Sequence, residues 1–352
     1  MNSGQKPNLL EFSCDELTQY LVRLGEPKFR GQQLWQWLWQ KGCRSFEQMS
    51  NLARPLREEL ARQAILDWPA IAATAQSRDG TVKFLLELHD GARIETVLIP
   101  EKDHVTQCVS TQVGCSLGCV FCATGRMGFE RNLSPAEILG QVLVGRAWLQ
   151  ERGGQINLRN LVFMGMGEPL LNLDNLLAAL ASFTHPLGLN FAPRRLTIST
   201  VGFPKQLERL GQSGLCSLAV SLHAPTQELR AQLMPKAALV PLDELMHALD
   251  RFPLKPRQRI TYEYILLAGV NDSLTQASQL VKLLGQRKAK VNLITFNPSA
   301  SEATETGFEP PASATVLAFE NLLKDRGVTA TLRRSKGQDI AAACGQLKAA
   351  AR

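Results

Sequence analysis

From about residue 105 onward, short runs of apolar and β-branched residues alternate with amphipathic stretches long enough to be helices. This alternation constrains the fold more than any other feature. The strand-like runs are HVTQCVST, NLVFMGMG, RRLTISTVG, CSLAVSLHA, RITYEYILLAG and KVNLITFNPS, with a further strand, VTATLRR, at 328–334. The helix-like stretches are 134–151, 173–183, 203–213, 227–251, 273–287 and 312–326. Strands separated by such helices pair in parallel, because a parallel partner is reached only by a long crossover. Six such units are too few for the closed eight-fold barrel. The pattern predicts an α/β fold built on a partial (β/α)6 barrel, with an open doubly wound sheet as the rival.

The first part of the chain differs. Ser13 is placed to cap a helix that runs to Gly25, and KFRGQQLWQWLWQKG puts Leu34, Trp35, Leu38 and Trp39 on one apolar stripe ending at Gly42. Those tryptophans suit a core stripe; stacking on bases is the other use of such rings. SFEQMSNLARPLREELARQ adds one or two short helices. Residues 69–100 alternate apolar and polar side chains around Asp79-Gly80 and Asp90-Gly91, the signature of an antiparallel meander. The expected units are a helical region 1–68, a β-meander extension 69–100, the barrel 101–334 and a tail 335–352. Segment 296–315 is a polar, Pro-containing loop.

No apolar run approaches membrane-spanning length and the N-terminus has no apolar signal region, so a cytoplasmic protein with no membrane partner is expected. Monomer is the default. A net charge of +7 favours polyanionic partners only weakly. The tail concentrates some of that charge: Arg333, Arg334, Lys336, Lys348 and Arg352 stand against Asp339 alone. Eight cysteines in a cytoplasmic chain of this length point to metal or redox chemistry rather than a disulfide scaffold.

Three of them, Cys115, Cys119 and Cys122, form C-x3-C-x2-C in GCSLGCVFCATG, just after the first barrel strand. Three thiolates on one loop can hold three irons of a [4Fe–4S] cube and leave the fourth iron open. A structural zinc site wants a fourth ligand, and none is near in sequence: His104 precedes the strand and Cys108 lies on it. Ligands of parallel α/β folds gather at the C-terminal strand ends. There stand Gly167, Glu168 and Pro169; Ser199 and Thr200; Ser221 and His223; and Asn297. Polar residues at four ends beside a cysteine loop suggest one shared pocket, although His223 alone is equally a satisfied structural histidine. Cys14, Cys43 and Cys216 belong to no motif and are read as structural.

The cysteine spacing, with Phe121 before the last cysteine, resembles the radical S-adenosylmethionine (SAM) superfamily. MGMGEPLLN resembles that superfamily's GGEP element, which contacts the SAM amino group. The likeness covers nearly the whole chain and is closest to the RlmN/Cfr family of radical-SAM RNA methyltransferases, through IETVLIP, CVSTQVGCSLGCVFCATG, GMGEPLLN, SLHAP and RRSKGQDIAAACGQL. The resemblance implies a [4Fe–4S] cluster on Cys115, Cys119 and Cys122, and SAM held by the strand-end residues named above. It implies 23S rRNA and tRNA as substrates, an RNA-binding role for the helical region, and an electron donor such as flavodoxin or ferredoxin. It gives a role to Cys344, which sits alone among alanines: a methyl carrier. Carbon 2 of adenine is electron-poor and cannot attack a sulfonium methyl, whereas a thiolate can. Cys108 is implied as the disulfide partner of Cys344, and Glu95 as a proton acceptor. Apart from the resemblance, Cys108 suits a buried core thiol and Glu95 a solvated strand residue. Arg333, Arg334 and Lys336 are placed to hold RNA phosphates. Methylation at carbon 8 is the alternative within the family. An iron–sulfur electron carrier or a non-catalytic RNA-binding protein is the alternative outside it.

Overall fold

The structure is a computed structural model and describes residues 6–153, 157–298, 306–333 and 335–349. Three helices come first: α1 (Cys14–Arg23), α2 (Phe29–Trp39) and α3 (Arg54–Gln63). Ser13 caps α1 in a reciprocal capping box with Glu16. Leu34, Trp35, Leu38 and Trp39 are buried, and Trp37 is only partly so. α1 and α2 cross closely because Gly31 has no side chain: a Cβ there would sit 2.1 Å from Thr18 Oγ1.

The meander follows as β1 (Ala70–Gln76), β2 (Val82–Glu87) and β3 (Arg93–Pro100). It is not separate from the barrel. β3 pairs antiparallel with β4 (Val105–Cys108), with Val97 opposite Cys108. β5 (Gln112–Gly114) and β6 (Phe129–Asn132) form a hairpin that brackets the cysteine loop and the short α4 (Ala123–Met127). Then come α5 (Pro135–Glu151), β7 (Leu158–Phe163), α6 (Leu173–Thr184), β8 (Leu196–Thr200), α7 (Pro204–Ser213) and β9 (Ser217–Ser221). The chain continues through α8 (Gln227–Leu233), α9 (Leu242–Asp250), β10 (Ile260–Leu266), α10 (Leu274–Leu284), β11 (Ala289–Thr295), α11 (Ser313–Asp325) and β12 (Thr329–Arg333).

Ten strands share one sheet in the order β1-β2-β3-β4-β7-β8-β9-β10-β11-β12. From β4 to β12 every pairing is parallel and the order never reverses. A doubly wound sheet must reverse its order to place helices on both faces. Crossovers of one hand running in one direction place the helices on one face, which is the winding of a partial barrel. Phe84 meets Trp148 of α5 on that helical face. The opposite face is left for the cysteine loop and the tail. The helical region sits outside α5, where Arg146 donates to Trp39 O at 2.9 Å.

One expected helix is broken. Segment 227–251 is two helices, α8 and α9, joined by a 3₁₀ turn at Ala237–Leu239. Pro235 and Pro241 flank that turn, and neither can continue a helical hydrogen-bond ladder. Part of the expected 296–315 loop, 299–305, lies outside the described residues, as do Arg334 and Arg352. No helix among the described residues is long and apolar enough to cross a membrane.

Gly31→Ala tests the α1–α2 crossing. Alanine favours a helix by about 1 kcal/mol over glycine, but overpacking costs about 1–3 kcal/mol. Denaturant melts should therefore show net destabilisation of the helical region. A stabilised protein would mean that the helices part freely.

Candidate active site

Cys115, Cys119 and Cys122 line one cavity with Gly167, Glu168, Ser199, Ser221 and His223, and Cys344 lies at its edge. The β5–β6 hairpin holds the base of the cysteine loop through Cys115 N–H to Gly128 O, 2.7 Å. Burial pushes the Cys115 thiol up to about 12 and Cys119 well above its ordinary range, and neighbouring thiolates push the same way. Three thiols this close repel one another once ionised, so a cationic group among them is favoured. Arg230, wholly buried, lies near Cys119; its guanidinium donates to the carbonyls of Ala237, Val240 and Val201, and its Nε has no partner among the described residues. Among the described residues no three potential ligands converge on a single metal ion. An all-thiolate donor set spread around a cavity fits a group of several metal atoms, each thiolate taking its own.

The GMGEP turn follows β7. Gly167 has φ +95°, and a Cβ there would meet Gln112 Cβ at 2.4 Å. Only glycine lets this turn lie on β5. Glu168 is buried. Its carboxylate accepts from Thr200 Oγ1, from Leu170 N–H at 2.9 Å and from Val201 N–H at 3.0 Å. Burial pushes its pKa up to about 7 against those donors. Thr200 thus serves the site through Glu168. Pro169 and Thr200 are buried behind the cavity wall rather than lining it.

His223 has φ +57° and lies edge-on to Phe121, centroids 4.9 Å apart. Its Nδ1 accepts from Ile265 N–H at 3.0 Å, so the neutral ring carries its proton on Nε2. Burial, with Arg230 adding, lowers its pKa to about 3.

Cys344 is exposed and also lines a second cavity of about 280 Å³, with Cys108, Met164, Ile294, Arg333 and Lys336. Cys108 is buried and pushed up to about 12, by burial first and by Cys344 next, with Arg333 opposing. The tail reaches this place through backbone bonds: Ala123 N–H donates to Gly345 O at 2.7 Å, and Thr124 Oγ1 to Leu347 O at 2.6 Å.

Two expected site residues stand elsewhere. Asn297 does not line the cysteine cavity; its amide donates to Thr295 O and Ser335 Oγ, and its carbonyl accepts from Gln346. Glu95 is neither solvated nor in either cavity. It is 4% exposed and binds Lys83 and the Lys348 N–H. Several contributors carry little or no sequence signal. Glu263 lines the cysteine cavity, its carboxylate accepting from Asn292 at 2.7 Å. Ser110 Oγ donates to Glu95 O and accepts from Met166 N–H, binding β3 to the GMGEP turn. Gln141 on α5 holds the Ser110 backbone. A glutamine within the apolar run ILGQVLVG was the one available hint.

A family model described as the ribosomal RNA large subunit methyltransferase N-terminal domain matches residues 7–66, and that of the Radical SAM superfamily matches residues 109–280. The chain is 57% identical to the dual-specificity RNA methyltransferase RlmN of Solidesulfovibrio magneticus over 342 residues, 97% of this chain and 96% of that protein. The chain belongs to the RlmN family of radical-SAM proteins. Its relative in Oleidesulfovibrio alaskensis, of the same name, is 56% identical over 346 residues, 97% of this chain and 96% of that protein. A solved radical SAM methyltransferase from Sphaerobacter thermophilus superposes with a TM-score of 0.91 at 39% identity, covering 98% of this chain and all of that one. The radical-SAM fold of the RlmN family is thus the fold of this chain from the helical region to the tail.

Two measurements check the site. In cluster-free protein, iodoacetamide at pH 8 should label Cys344 well before Cys108. A rise from 9 to about 12 cuts the Cys108 thiolate fraction roughly a thousandfold, and its labelling should keep rising above pH 9. Equal rates would mean that Cys108 is not buried. His223 should stay neutral from pH 5 to 8 in nitrogen-15 NMR of cluster-free protein. Its folded pKa lies below the unfolded 6.5, so it adds stability that is full above pH 6.5 and lost as pH falls toward 3. A midpoint near 6.5 in the folded protein would contradict the Ile265 bond.

Proposed function

We propose that this chain, a radical-SAM methyltransferase, methylates carbon 2 of a specific adenosine in 23S rRNA and in tRNA, with Cys344 as the methyl carrier. The observation that carries this reading is the place of Cys344: one exposed thiol borders both the cysteine-loop cavity and the cavity of Cys108. A carrier must reach a methyl donor and then a base. The names of the relatives, dual-specificity RNA methyltransferases, support RNA as substrate.

In this reading Cys115, Cys119 and Cys122 hold a [4Fe–4S] cluster with one open iron. Gly167, Glu168, Ser199, Ser221 and His223 surround SAM; Thr200 and Pro169 fix Glu168, and Asn297 fixes the tail. When bound, these groups supply the methyl group and the one-electron chemistry that protein side chains lack. Cys344 Sγ takes the methyl as a thioether and presents it to the base, which must leave its stack to arrive. After the carbon is joined to the ring, Cys108 attacks Cys344 Sγ. The S–S bond forms as the S–C bond breaks, and the carbon keeps the electron pair and takes up a proton. Glu95 takes the ring proton only after its bonds to Lys83 and Lys348 open. Arg333 and Lys336, at the mouth of the Cys108 cavity, suit phosphate, and residues 1–68 serve as the RNA-binding accessory region.

The peptide GQDIAAACGQLK, residues 337–348, tests the carrier directly. From protein assembled with its cluster and given SAM, it should weigh one methyl group more than the bare peptide. Cys344→Ser should gain no methyl and leave RNA unmethylated, by more than a hundredfold in rate. A bare peptide beside methylated RNA would sink the carrier role, and 8-methyladenosine as the product would move the target carbon.

A further inference from the structure

We infer that Lys83 is a positioning residue that, paired with Glu95, staples both ends of the Cys344 loop. Its functional consequence rests on the carrier reading above; the staple itself does not. In the β2–β3 ladder Lys83 lies opposite Val97 and Glu95 opposite Leu85. The two are diagonal neighbours on the face away from the helices, close enough for long side chains to meet. Lys83 Nζ and Glu95 Oε1 are 2.9 Å apart, with side chains 15% and 6% exposed.

Each partner then spends a second bond on the tail. Lys83 Nζ donates to Ala341 O at 3.1 Å, and Glu95 Oε2 accepts from Lys348 N–H at 2.8 Å. One buried ion pair thus grips the tail three residues before Cys344 and four residues after it. Ala341 itself has φ +50°, a left-handed conformation that a side chain disfavours and that the surroundings must hold. An apolar pair in place of Lys83 and Glu95 would leave a partly buried loop carbonyl and a partly buried loop N–H without these partners. The staple therefore sets where the thiol sits between the two cavities. Opening it frees the loop and the Glu95 carboxylate together.

The test compares full-length wild type, Lys83→Met and Lys83→Arg. Hydrogen exchange in cluster-free protein is read by mass on peptide 337–348 and on peptides from β7 to β10. Losing a charged hydrogen bond should speed exchange in the tail peptide about tenfold or more in Lys83→Met, with the sheet peptides unchanged. Lys83→Arg should restore most of the protection. In cluster-loaded enzyme, Lys83→Met should lower kcat for RNA methylation about tenfold with KM for RNA unchanged, and Lys83→Arg should recover it. Should Lys83→Met not fold, Lys83→Met/Glu95→Gln, which buries no unpaired charge, takes its place in the exchange measurement alone, and Lys83→Gln takes its place in the kcat measurement. Unchanged tail exchange overturns the staple. Faster tail exchange with unchanged kcat overturns its role in positioning Cys344. A wild-type Cys344 that never gains a methyl overturns the carrier reading, and the exchange data still decide the staple.

Discussion

The antiparallel pairing of β3 with β4 is the joint on which the site depends. It fuses a meander to a parallel sheet, and its register sets Val97 against Cys108. Side chains alternate across a strand, so Glu95 shares a face with Val97 and with Cys108, and Lys83 joins them from β2. A one-residue slip would send Glu95 and Lys83 to the helical face, where Phe84 now meets Trp148. The tail would then have nothing polar to bind on the face it crosses.

Burial governs the electrostatics around that joint. The thiols of Cys108, Cys115 and Cys119 and the carboxyls of Glu168 and Glu263 are all pushed toward their neutral forms, chiefly by desolvation. The protein answers with few cations placed deep: Arg230 beside Cys119, and Arg333 between Cys108, Cys344 and Glu263. Burying an arginine is costly unless its donors are used, and Arg230 gives three bonds to carbonyls. The net charge of +7 says little about this arrangement, because Arg230 is wholly buried and Arg333 is half-buried against the thiols it faces.

The strands and the cysteine loop were legible because their signals are local. Period-two runs, helix-length spacers and Asp-Gly turns each follow from neighbouring residues, and all seven parallel strands appear in the sheet where those patterns put them. The helix over 227–251 was overdrawn because an amphipathic pattern runs through Pro235 and Pro241, and the prolines win. Glu95 and Asn297 could not be placed from sequence. Glu95 lies within β3 and Asn297 just past the end of β11, as expected, but which groups face them depends on ladder register and on where the tail crosses, and neither leaves a trace in neighbouring residues. The same is true of Lys83, which reads as a solvated strand lysine until the tail is in view.

A loop without regular structure normally sits on the surface, where water satisfies its backbone. The Cys344 loop instead crosses the face of a sheet, with Ala342, Ala343 and Leu347 buried and Cys344 exposed between them. Its backbone is therefore satisfied by other parts of the fold: by Ala123 and Thr124 after the cysteine loop, and by Lys83 and Glu95 in the meander. The first group belongs to the segment that bears the three cysteines, the second to the strands beside Cys108. A thiol suspended between those two sets of bonds is held in register with both cavities at once.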